Sequence, residues 1–175
     1  MPAVGHREKG GAVSKGPAGI AALAAASRAH NATPEATGTL WVDVLKELPL
    51  FAGLSKRHLR RLAAIAQEAR FYPQSRIVRE GYSGEAFYVI LDGTVSVIRS
   101  GQGAIRLGAG DFFGEMSLLD GKERSATIEA DSEVLTLAIA REDFMKALET
   151  EPTMALAILK ELATRLRAVD DTQTS

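Results

Sequence analysis

Glu115 and Arg124 are the residues on which chemistry could be built, because glycines precede the first and a tight turn precedes the second. Gly108, Gly110 and Gly114 free the backbone ahead of a short helical pattern from Glu115 to Leu119. A glycine leading into a helix start leaves N–H groups pointing outward, and the positive end of the helix dipole favours an anion there. Arg124 follows the turn signal Asp120-Gly121 and can return a guanidinium to the same place. An arginine fork and amide donors on one anion suit a phosphate. The Glu115 carboxylate would repel that phosphate unless it points elsewhere. An ionised carboxylate only accepts hydrogen bonds, so a sugar hydroxyl is a suitable target. Phosphate and sugar hydroxyl together describe a nucleotide. Each piece alone has an ordinary reading: Gly-Glu at a helix start is dipole-favoured capping, and a surface arginine near Asp120 and Glu123 is a salt bridge of about 0–1 kcal/mol.

The chain offers little else that could react. It has no cysteine, and its histidines are His6, His30 and His58, none paired on a strand pattern. A cupin-like metalloenzyme or a cyclic phosphodiesterase on a similar barrel would normally need metal ligands to activate oxygen or water. Glu115 could serve as a general base, but nothing completes a catalytic set. The expectation is a non-catalytic protein with no metal and no cofactor. A net charge of -1 lacks the basic footprint of a general nucleic-acid binder. No apolar run approaches the ~20 residues that span a bilayer, so no membrane association is expected. The absence of cysteine fits a reducing compartment, and the cytoplasm is the expected location.

The elements that must position the site follow from periodicity. Residues 1–38 contain no aromatic residue and are dense in Ala and Gly, so disorder is expected there. Arg7, Lys9 and Lys15 ahead of Ala18–Ala26 resemble a signal peptide only in outline, and a flexible tail is the preferred reading. The folded domain is expected over 39–171, with a short tail at 172–175. Val44, Leu45 and Leu48 form an apolar helical stripe that stops before Pro49. Ser55 should cap a second helix with Leu59, Leu62, Ala66 and Ala69 at helical spacing. The polar face of that helix carries Lys56, Arg57, Arg60 and Arg61, read as a solvated face rather than a docking patch for an acidic partner.

From Arg70 to Ile139 the period becomes two, with short β-rich runs separated by turn signals. Asp92-Gly93 between two such runs predicts a hairpin. After Ile139 helical spacing returns, first over 140–149 and then from Pro152 onward. Ala155, Leu159, Leu162, Leu166 and Val169 form a coiled-coil-like seam, widened by Ile158 and Ala163. Burial against the domain's own barrel and a homodimer through residues 153–169 are both consistent with that stripe. The fold class is α+β: an antiparallel β-roll, a jelly-roll-like barrel, flanked by N-terminal and C-terminal helices.

The string Phe113-Gly114-Glu115, then Met116-Ser-Leu-Leu119, then Arg124-Ser125-Ala126-Thr127 resembles the phosphate-binding cassette of cyclic-nucleotide-binding domains. That family includes catabolite activator protein, protein kinase A regulatory subunits and cyclic-nucleotide-gated channels. Glu80 to Ile90 and Asp92-Gly93 resemble the family's early strands, and Phe51 to Ser55 its opening helical segment. The resemblance runs from about Leu45 to Val169.

What it implies is an allosteric binding module for cAMP or cGMP that acts on an effector protein. The cassette residues are Gly114, Glu115, Met116, Arg124, Ser125, Ala126 and Thr127. By position Glu115 would accept the ribose 2′-hydroxyl, and Arg124 would pair the cyclic phosphate with the amides of Gly114, Glu115 and Ser125. Ser125, where Thr often accompanies cGMP preference, favours cAMP. The places where bacterial activators carry base-binding hydroxyls are Val169 and Asp170 here, and Val cannot donate. Only Asp171 to Ser175 follow the long helix, so no direct DNA binding is expected. The alternative is the same fold used as a protein-interaction module with weak or no nucleotide binding.

Overall fold

The computed structural model describes residues 34–173, so most of the expected tail lies outside the described residues. Helix α1 (Pro34–Lys46) begins earlier than the composition suggested, and residues 34–38 are helical rather than tail. Proline is tolerated in a first helical turn, and its preset φ favours a start there. A 3-10 turn (Pro49–Phe51) leads to α2 (Lys56–Ile65), whose first turn is capped as expected: Ser55 Oγ accepts the His58 N–H at 3.2 Å. Helix α2 stops at Ile65, short of the expected Ala69, because Ala66 is already extended. Alanine fits either period, and cross-strand pairing decides: Ala69 faces Thr136, whose hydroxyl donates to the Ala69 carbonyl at 3.0 Å.

Eight strands follow: β1 (Gln67–Phe71), β2 (Arg76–Val78), β3 (Ala86–Asp92), β4 (Val95–Ile98), β5 (Ile105–Leu107), β6 (Phe112–Phe113), β7 (Thr127–Ala130) and β8 (Val134–Ala140). Between β6 and β7 lies α3 (Glu115–Asp120), and α4 (Arg141–Thr150) and α5 (Pro152–Gln173) close the domain. The strands form two antiparallel four-stranded sheets, ordered β1-β8-β3-β6 and β2-β7-β4-β5, which is the expected roll. The central strands β3 and β8 are apolar on both faces because each face has a cover. Phe87, Val89, Leu137 and Ile139 pack under the helices with Leu45, Phe51, Phe144 and Met154. Ile90 and Val134 point between the sheets toward Val95, Phe113 and Ile128.

Asp92-Gly93 does not close a hairpin. The strands it joins lie in different sheets, so the turn rounds a corner of the roll. Gly93 has φ +89°, and a Cβ there would lie 2.2 Å from the Glu133 carbonyl oxygen. Both the positive φ and the backbone obstacle demand glycine. Gly93→Ala should therefore lower stability by at least about 1–3 kcal/mol, read as a lower urea midpoint with an unchanged slope.

The C-terminal stripe divides in two. Met154 and Ile158 are buried against the domain, whereas Leu159, Leu166 and Val169 are 62%, 64% and 53% exposed. Of the regular seam, Leu162 packs partly against the core, while Leu159, Leu166 and Val169 stay exposed. The basic face of α2 is only partly solvated, since it also clasps the α4–α5 junction. Arg57 pairs with Glu151 at 2.9 Å, Arg61 donates to Thr150 Oγ1 at 2.9 Å, and His58 Nε2 lies 3.1 Å from Thr153 Oγ1.

Candidate functional site

The strand-to-helix junction at Phe113-Gly114 is fixed from both sides. Phe113 pairs with Tyr88 across β3 and β6, and their rings stack at 5.0 Å. Burial pushes the Tyr88 phenol above its ordinary range, the charge of Arg124 acting the other way. Gly114 then takes φ +89°, a left-handed N-cap that turns the chain into α3. Gly121, also left-handed, ends α3 with its N–H on the Ser117 carbonyl at 2.9 Å. Arg141 Nε, from the first residue of α4, donates to the same carbonyl at 3.2 Å. A cation at a helix C-terminus is favourably placed, and this one ties the cassette helix to the helices that follow.

Arg124 is held by its backbone before its side chain is considered. Its N–H donates to the Tyr82 carbonyl at 2.8 Å, and its carbonyl accepts from Gly81 at 2.9 Å. The loop between β2 and β3 can approach this closely because Gly84 has no Cβ. An added one would lie 2.2 Å from Ser117 Cβ and 3.0 Å from Arg124 Nε. Arg124 is buried by this arrangement, only 7% exposed. Its Nη2 donates to the Ala86 carbonyl, whereas Nη1 is buried with no partner among the described residues. A Cβ on Gly114 would sit 2.3 Å from that Nη1, so the free donor is aimed at the start of α3. Burial pushes the arginine pKa down from its ordinary value, with Tyr88 and then Glu115 opposing. The group stays cationic. A buried cation with an unused donor is costly to leave unmatched.

Arg124 lines a cavity of about 270 Å³. Gly114, Glu115, Met116, Arg124, Ser125 and Ala126 all line it, so six of the seven sequence-derived residues converge. Thr127 does not line it; its Oγ1 accepts the Glu80 N–H at 3.1 Å and anchors the neighbouring loop instead. The opposite wall escaped the sequence reading: Val78, Val97, Arg99, Ile105 and Leu107. The cavity thus joins the polar, cationic cassette to a wall that is apolar apart from Arg99, which suits an anionic head carrying a flat apolar body. Among the described residues no cluster of His, Asp and Glu could hold a metal ion. No described helix is long and apolar enough to cross a membrane.

The family model described as "Cyclic nucleotide-binding domain" matches residues 68–151. The cyclic AMP receptor protein of Thermus thermophilus is 38% identical over 132 residues, which cover 72% of this chain and 61% of that relative. The chain therefore spans less than two thirds of that relative's length. A solved N-terminal domain of a transcriptional regulator from Streptomyces coelicolor A3(2) superposes with a TM-score of 0.67 at 32% identity, covering 73% of this chain and 95% of that one. The regulatory subunit of a cAMP-independent protein kinase A from Trypanosoma brucei gives 0.60 at 25% identity, covering 75% of this chain and 46% of that one. A match that takes in nearly all of a solved domain at that identity, with the roll and cassette described above, places this chain in the cyclic nucleotide-binding domain family, whose domains are regulatory and non-catalytic.

Proposed function

We propose that the chain is a regulatory module that binds a cyclic nucleotide, cAMP in preference to cGMP, and passes the binding event to a protein partner. The observation that carries this reading is the buried Arg124 Nη1, aimed at the Gly114–Glu115 helix start with no partner. The cyclic phosphate takes that donor together with the amides of Gly114, Glu115 and Ser125. The Glu115 carboxylate accepts the ribose hydroxyl. Preference for cAMP is supported by Ser125 and by likeness to a protein named a cyclic AMP receptor.

The coupling route we assign runs through Arg141. Pulling on α3 pulls on the Ser117 carbonyl, and through it on the first residue of α4. The exposed row Leu159, Leu166 and Val169 on α5 is the surface we assign to the partner, a second copy of the chain included.

A thermal-shift screen of cyclic and linear nucleotides tests the reading. A ligand at 100 times its dissociation constant adds ~2.7 kcal/mol of stability. The melting temperature should rise by several degrees with cAMP, less with cGMP at equal concentration, and not with AMP. No shift with any cyclic nucleotide would favour the second reading, a protein-interaction module on the same fold. That reading is supported by the likeness to a kinase regulatory subunit named as cAMP-independent.

A further inference from the structure

Arg99 is the one charged residue that β4 and β5 bring to the cavity wall. Val95 is buried in the core between the sheets, Val97 lines the cavity, and side chains two apart share a face. Arg99 is therefore the next inward position, just beyond the end of β4. Val97 pairs with Ile105 across the two strands, so these residues form one apolar patch on the cavity wall, and Arg99 follows Val97 on the same face. No carboxylate neutralises it: among the described residues its side chain has no hydrogen bond or ion pair. Glu80, on the neighbouring loop, spends its carboxylate on Ser100, accepting from Ser100 N at 3.2 Å and Oγ at 3.0 Å. That bond pins the backbone next to Arg99, and the Glu80 N–H on Thr127 Oγ1 ties the same loop to the cassette.

We infer that Arg99 is the base-positioning residue of this cavity and selects purines by donating to the N7 acceptor. The inference rests on the cyclic-nucleotide reading above. Once Arg124 holds the phosphate, the flat base lies against the apolar Val97–Ile105 patch, and Arg99 meets the edge of the ring. A guanidinium only donates, and it does so in a planar fork. Adenine and guanine both present N7 as an in-plane acceptor on that edge, whereas a pyrimidine has none. Guanine adds O6 beside N7 and fits the same fork, so Arg99 excludes pyrimidines and leaves the choice between purines to Ser125.

Calorimetry with cAMP, 7-deaza-cAMP (a carbon replaces N7) and cCMP separates this role from others. The wild-type chain should bind cAMP about tenfold more tightly than 7-deaza-cAMP, as for a hydrogen bond to a charged donor. In Arg99→Ala that ratio should fall to near one, with 7-deaza-cAMP bound as before. Arg99→Lys, which keeps the charge and one donor, should restore part of the ratio. A wild-type ratio near one overturns the inference, as does an equal loss for both ligands in Arg99→Ala, which would make Arg99 only a cation for the phosphate. Failure of the underlying reading looks different: the wild-type chain would bind none of the three ligands, and Arg124→Ala would change nothing.

Discussion

Arg124→Ala is expected to weaken cyclic nucleotide binding by about thirtyfold to several thousandfold, the equivalent of roughly 2–5 kcal/mol. The size follows from burial. The ligand's negative charge would enter a site whose countercharge is carried by a buried residue in the wild type and is missing in the variant. Most of the loss should appear as faster dissociation, because the guanidinium is enclosed rather than displayed at the rim. The unliganded fold should suffer much less. Arg124 gives it one bond to the Ala86 carbonyl, worth on the order of 1–3 kcal/mol when a charged group donates. The desolvation of a half-unmatched cation offsets part of that. Arg124→Lys should fall between the two, since a single ammonium lacks the fork that serves Ala86 and the ligand at once. Equal affinities for wild type and Arg124→Ala in calorimetry would refute the assignment of the phosphate partner.

The cassette was legible because its chemistry is contiguous. Gly114, Glu115, Arg124 and Ser125 lie within one turn-helix-turn segment, so spacing alone brings them together. The apolar wall was not, because β4 and β5 reach the cavity only through pairing across the roll. Its signal was present in the inward positions Val95, Val97 and Arg99, but alternation does not say which cavity a face looks into. Gly84 and Arg141 were hidden for a related reason: each matters through a contact with Ser117, far away in sequence.

Where the fold departs from the periodicity, the causes are local as well. Ala66 and Ala69 carry too little side chain to distinguish a helix from a strand; Ala66 ends the helix in extended backbone, and Ala69 pairs with β8. Asp92-Gly93 reported a tight turn correctly, yet a turn signal does not say whether its flanking strands pair. β6 has two residues, too few for any period to register. On α5 the apolar stripe was wider than one contact needs, so spacing could not tell which part would be buried.

Phe51→Ala is expected to cost about 3–5 kcal/mol of stability while leaving ligand affinity nearly intact in the cold. Phe51 is fully buried, and its ring meets Phe87 of β3 edge-on at 5.9 Å and Phe144 of α4 at 6.4 Å. Phe87 in turn lies 5.9 Å from Phe112, the residue before the cassette strand's last position. This row of rings joins the opening helices, the central strand and the strand that leads to Gly114. Removing one of its inner members leaves a void that its rigid neighbours on β3 and α4 cannot both close. The melting temperature should drop by about 10–20 °C, measured by calorimetric or circular-dichroism melting. Phe51 does not itself line the cavity, so at 10 °C, where the domain is still folded, cAMP affinity should change by less than about threefold. Arg124→Ala should show the reverse pattern, a large loss of affinity with a small change in melting temperature. If both variants lost affinity and stability together, the cassette would owe its shape to the whole core. The unpaired Nη1 would then be a consequence of packing strain and not a preformed place for an anion.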